Sequence, residues 1–144
     1  MKKVFVDTNI LLDLFLARKP YNVYSKQLFE LGRQKKVQLV LSTLSIANAQ
    51  YILKNIKLDV PHIRIWLTSV CSFCELAAVN DKVVVSTLAA LKFEDIEDAM
   101  QYMSAVESGA DVIVTRNERD FKPSQLPVMS AQEFLLTYLE TNEE

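Results

Sequence analysis

The stretch VFVDTNILLD, residues 4–13, decides how this chain is read. VFV is a short, non-alternating apolar run, the pattern of a strand buried on both faces. It stops at Asp7, Thr8 and Asn9. Apolar residues then resume in ILLDLFLA, enough for a helix that ends near Lys19-Pro20. Asp7 thus stands where a first buried strand gives way to a helix. Three roles suit an aspartate there: turn residue, helix cap or reactive group.

Outward from that point, strand and helix patterns alternate. VYSKQLFELGRQKK has helical spacing through Tyr24, Leu28 and Leu31 and ends in a basic group suited to a helix C-terminus. VQLVLST (37–43) reads as a second strand, followed by the helix IANAQYILKNIKL and by another that starts at Pro61 and runs through Ile63, Trp66 and Leu67. CELAAVN (74–80) is a third strand, with Asn80 capping the helix DKVVVSTLAALK. EDIEDAMQYMSAVESG gives the clearest helix, with Ile96, Ala99, Met100, Met103 and Val106 as its apolar face and Gly109 as its stop. DVIVTRN and PVMS supply a fourth and a short fifth strand, and AQEFLLTYLE closes the chain as a helix.

This alternation implies an α/β fold with a parallel sheet covered on both faces. In such sheets ligands bind outside the C-terminal ends of the strands. Asp7 falls on that edge, as do Ser42, Thr43, Asn80, Asp81, Thr115 and Asn117.

The 144 residues, half of them apolar, suit one domain spanning residues 1–144. No run approaches the ~18 apolar residues of a membrane span. MKK is followed by only VFV before Asp7, too short for a secretory leader, so a cytoplasmic protein is expected. Cys71 and Cys74 form a lone CxxC and His62 is the single histidine, a poor basis for a zinc site. Two ordinary thiols are the simpler reading. Residues 1–72 carry 11 basic and 4 acidic side chains, and residues 73–144 carry 5 basic and 14 acidic. That asymmetry suits a nucleic-acid partner near acidic chemistry, and equally two solvated faces of opposite sign.

Glu94, Asp95, Glu97 and Asp98 crowd the start of the late helix. Acids there favour the helix dipole, and Asp95 suits a cap. Asp95 and Asp98, three apart, also share a face that a helix entering from the sheet edge would aim toward Asp7. Asp120, after the fourth strand, can approach the same place. Two carboxylates ~4 Å apart repel by roughly 4 kcal/mol at an effective dielectric near 20. Protonation, Arg116 or Arg119, or a divalent cation would relieve that repulsion. Oxygen ligands without imidazole or thiolate favour Mg²⁺ or Mn²⁺, which can activate water and neutralise a phosphate.

Taken together, VDTNILLD, LSTLSIANAQYIL, EDIEDAMQY and VTRNERDF resemble a PIN domain, in order, across residues 3–135. The resemblance is to toxin ribonucleases of the VapC type. It implies a three-layer α/β/α fold with a five-stranded parallel sheet in the order 3-2-1-4-5, and Mg²⁺- or Mn²⁺-dependent hydrolysis of RNA. It also implies a homodimer and a small protein antitoxin. Asp7 and Asp98 match the family's metal ligands, with Asp95 or Asp120 completing the catalytic set. Thr8, Asn9 and Thr115 would support them. Asn117 occupies a position where many members carry an acid, and Asn48 stands where the usual pattern has a glutamate. An amide offers a neutral oxygen but cannot act as a general base.

Arg18, Lys19, Arg33, Lys35, Lys36, Lys54 and Lys57 are candidate phosphate contacts in the basic half. Tyr21, Tyr24 and Tyr51 could stack on bases or pack at the core rim. Two other classes compete with the nuclease. A phosphoacceptor receiver domain needs its aspartate after the third strand and a lysine after the fifth, where this chain has Asn80-Asp81 and SAQEF. A PIN-fold module that holds RNA or protein without cutting fits Asn48 and Asn117.

Overall fold

The computed structural model describes residues 1–142. Five parallel strands form the central sheet: β1 (Lys3–Val6), β2 (Gln38–Ser42), β3 (Glu75–Ala77), β4 (Val112–Val114) and β5 (Val128–Met129). Their order is β3-β2-β1-β4-β5, as the resemblance implies. A flavodoxin-like receiver has the order 2-1-3-4-5, so the topology removes that rival. Phe5 is central, in register with Val40 on one side and Ile113 on the other.

Alternation along β1 divides the core. Val4 and Val6 pack with residues of α1 (Thr8–Phe15), α2 (Asn22–Arg33), α3 (Thr43–Asn55), α4 (Val60–Cys71) and α7 (Ala131–Asn142). Phe5 points the other way, into a smaller cluster with Ala105, Ile113 and Phe121, beneath α6 (Ile96–Glu107). α5 (Asp81–Ala89) packs on α6 and is capped, as expected, by the Asn80 side chain accepting from the Val83 N–H at 3.0 Å. Gly32 lets α2 lie close on β2, since a Cβ there would sit 2.5 Å from Leu39 Cδ1. Gly109, at φ +74°, is the stop after α6.

The expected apolar face of α6 needs correction. Its buried residues are Ala99, Gln101, Ser104 and Ala105, while Ile96 is 60% exposed and Val106 also faces out. Buried hydrogen bonds to Gln101 turn the helix away from the stripe that hydrophobicity alone selects. Cys71 and Cys74 are free thiols, with the Cys74 thiol pushed up to about 12 by burial first and by Cys71 second. His62 is exposed. Among the described residues no helix is long and apolar enough to cross a membrane.

Candidate active site

Asp7 serves two elements at once. Its N–H still donates to Val114 O at 3.0 Å, extending the β1–β4 ladder, while its side chain caps α1 by accepting from Thr8 N at 2.8 Å. The other carboxylate oxygen accepts from Thr115 Oγ1 at 2.8 Å, and that hydroxyl accepts in turn from the Asn117 N–H at 3.0 Å. Burial raises the Asp7 pKa; the Thr115 and Thr8 hydrogen bonds oppose it, and the charge of Asp120 adds to it. Asp7 is therefore a buried carboxylate pinned at both oxygens, next to a second acid.

Asp98 enters the same field from α6. Its carboxyl is pushed up to about 6, by burial first and then by Asp95, Asp120, Asp7 and Glu97. The four charges acting on it are all negative. Asp95 is the N-cap of α6, accepting from the Asp98 N–H at 3.0 Å. Asp120 lies on the 3₁₀ turn Glu118–Phe121, exposed, and acts on both Asp7 and Asp98. The structure thus brings Asp7, Asp98, Asp95 and Asp120 into one electrostatic neighbourhood at the C-terminal edge of β1 and β4. Asn48 lies across the α3–α6 groove, its Nδ2 donating to Glu97 Oε1 at 2.8 Å. Asn9 is half-buried in the first turn of α1.

Behind the acids lies a polar network that the hydrophobic pattern hid. Gln101, almost wholly buried, accepts from Ser42 Oγ at 2.6 Å and donates to Ser45 Oγ at 2.9 Å and Thr8 Oγ1 at 3.1 Å. Thr8 and Ser45 hydroxyls meet at 2.7 Å. One residue of α6 thereby locks the starts of α1 and α3 to the helix that carries Asp98.

Asp13 was also missed. Sealed from solvent, it faces Arg116 Nε at 2.8 Å and Arg18 Nε at 3.2 Å. Burial raises the Asp13 carboxyl, and the charges of Arg116 and Arg18 oppose that shift. Arg116 also lies over the Tyr21 ring, 4.2 Å from its centre. The signal was an acid embedded in the apolar run ILLDLFLA. Arg18 is therefore committed to Asp13, and Arg33 bonds Glu30 through Nε at 2.9 Å. Lys35 and Lys36 precede β2, at the sheet edge opposite Asp7, and Lys54 and Lys57 sit at the far end of α3. Tyr24 packs against the core, while Tyr51 is exposed.

The family model for the PIN domain matches residues 3–119. The chain belongs to the PIN domain family. It is 27% identical to "Ribonuclease VapC1" of Aquifex aeolicus (strain VF5) over 137 residues, 92% of this chain and 93% of that one. Its fold is similar to that of a toxin-antitoxin complex from Klebsiella pneumoniae, at TM-score 0.66, 21% identity and coverage of 89% and 97%. VapBC2 from Rickettsia felis, solved bound to a DNA fragment from its promoter, gives TM-score 0.65 at 18% identity, covering 89% and 97%. These likenesses agree with the sheet order.

Among the described residues, no three His, Cys, Asp or Glu side chains make a ready metal cage. Mg²⁺ does not require one, because it usually takes one or two protein carboxylates and keeps water and phosphate oxygens elsewhere. The donor chemistry around Asp98 is all oxygen and all negative, which fits a hard divalent ion.

Proposed function

We infer that this chain is a Mg²⁺- or Mn²⁺-dependent endoribonuclease, with Asp7 and Asp98 as its metal carboxylates. The observation that carries this reading is the field at Asp98, where four other carboxylates act and no cation offsets them. The ribonuclease name of the Aquifex relative supports the substrate class. When bound, the ion would neutralise charge at the scissile phosphate and make a neighbouring water a better nucleophile.

The chain's own residues do the positioning. Thr115 and the Thr8 N–H fix the two oxygens of Asp7, leaving a lone pair on each for a further contact. Gln101 fixes α6 against the starts of α1 and α3, which keeps Asp98 within the electrostatic reach of Asp7. Asp95 is occupied as a helix cap, which leaves exposed Asp120 as the freer third carboxylate to accept a proton from attacking water. Asn48 cannot take that proton; it restrains Glu97 beside Asp98.

A small protein antitoxin and a second copy of the chain are the partners this reading implies. The toxin–antitoxin complexes among the structural relatives support the first. A second reading, binding without cutting, draws on the neutral side chains Asn48 and Asn117.

Incubation with single-stranded RNA and Mn²⁺ tests the choice. The nuclease reading expects cleavage that chelator abolishes and that Asp98→Asn lowers by at least about 100-fold. RNA that binds and stays intact with Mn²⁺ present would select the second reading.

A further inference from the structure

The acidic half of the chain holds five cationic side chains: Lys82, Lys92, Arg116, Arg119 and Lys122. Two are committed elsewhere, Lys82 to Glu107 at 3.1 Å and Arg116 to Asp13. The other three line one open depression of about 550 Å³, together with Phe93, Asp95 and Asp120. Among the described residues none of the three forms an ion pair.

We propose that this depression is a subsite for single-stranded RNA, in which Lys92, Arg119 and Lys122 hold phosphates beside the scissile bond and Phe93 receives a base. The assignment rests on the nuclease reading above and adds the path of the strand.

Three features argue for it. The first is continuity with the acids, because Asp95 and Asp120 both line the depression and act on Asp98. A polyanion approaching four carboxylates is repelled unless cations flank the reacting phosphate, and these are the cations that flank it. Glu94 on the same wall makes three carboxylates against three cations, so the depression is balanced in charge where the adjoining Asp98 is uncompensated.

The second is preorganisation. In a 3₁₀ turn residues three apart eclipse, so Arg119 and Lys122 fall on one side of the turn Glu118–Phe121 and its cap. Buried Phe121 anchors that turn in the core. The third is the aromatic wall. Phe93 is braced on Tyr102, ring centres 5.0 Å apart, and the Tyr102 hydroxyl accepts from the Gln125 N–H at 3.3 Å. A braced, half-exposed ring is a stacking platform that every base can use.

The cations singled out by composition are placed worse. Lys35 and Lys36 lie at the opposite edge of the sheet. This yields a direct comparison between two exposed pairs.

A short fluorescent single-stranded RNA titrated into the full-length chain in chelator, where the nuclease reading expects no cleavage, is the test. Lys92→Glu/Lys122→Glu should weaken binding by about tenfold or more and flatten the salt dependence by about 1.4 in log–log slope. Lys35→Glu/Lys36→Glu should change affinity less than about twofold. Mn²⁺ should bind the first variant no more weakly than the parent, since the substitutions remove no carboxylate of the site and add negative charge beside it. Undiminished RNA affinity in Lys92→Glu/Lys122→Glu, or a larger loss in Lys35→Glu/Lys36→Glu, overturns the subsite. RNA held through Lys92 and Lys122 but never cut with Mn²⁺ would keep the subsite while refuting the nuclease reading. A DNA strand offers the same phosphates and bases, so DNA of matching sequence serves as a second arm; tighter binding of DNA than RNA would overturn the RNA assignment.

Discussion

Gln101 Nε2 donates to Ser45 Oγ at 2.9 Å, and this bond ties the helix bearing Asp98 to the start of the helix after β2. Asp98 sits one turn earlier on the same helix. The acidic site is therefore built on a buried hydrogen-bonded platform rather than on loops.

Replacing Gln101 with Leu keeps the volume and strands the hydroxyls of Ser42, Ser45 and Thr8. Each buried polar group left unpaired costs about 1–3 kcal/mol, and the three hydroxyls can still pair partly among themselves. A net loss of about 2–4 kcal/mol in urea unfolding is expected. A change below about 0.5 kcal/mol would show that the network does not hold α6.

Thr115→Val removes the hydroxyl that stabilises ionised Asp7. The Asp7 carboxyl, already raised by burial, should rise further, and Mn²⁺ affinity should fall by about tenfold while the fold persists. Calorimetric titration with Mn²⁺ reads this directly.

Asp98 makes stability depend on pH in a defined direction. Folding raises its carboxyl from the ordinary 3.8 to about 6, so the native state binds the proton more tightly than the unfolded chain. The stability this confers is complete below about pH 4 and is lost as pH rises through about 6. Without divalent metal, above about pH 7, Asp98→Asn should therefore melt higher than the parent, by about 2 °C. Mn²⁺ should close or reverse that gap by stabilising only the parent. A lower melting temperature for Asp98→Asn in chelator would contradict the field described at this residue.

Asp13→Asn leaves Arg18 and Arg116 facing each other without their shared acid. Breaking a buried ion cluster from one side costs about 3–5 kcal/mol, and thermal unfolding should show a loss of that order.

Much of this was legible in the sequence, and the failures share a cause. VFV followed by Asp7 marked the buried strand and its handover to a helix, with the cap among the roles open to Asp7, because these signals are local. Gly109 and Asn80 were readable for the same reason. The buried face of α6 was not. Gln101 is satisfied by Ser42, 59 residues away, and by Thr8, 93 residues away, and no local pattern marks a polar side chain whose partners are that distant. Asp13 failed likewise, since an acid in an apolar run reads as an exposed turn of helix until Arg116 arrives from beyond β4. The cations beside the site were overshadowed by the many acids around them. Net charge summed along the chain says little about which side chains meet in space.

The most direct test joins metal binding to cleavage in the same samples: Mn²⁺ titration and RNA hydrolysis for the parent, Asp7→Asn and Asp98→Asn. The account predicts that the parent binds Mn²⁺ and cuts RNA, and that each substitution removes both. Cleavage that survives in either variant, or Mn²⁺ bound as tightly without these carboxylates, would contradict it.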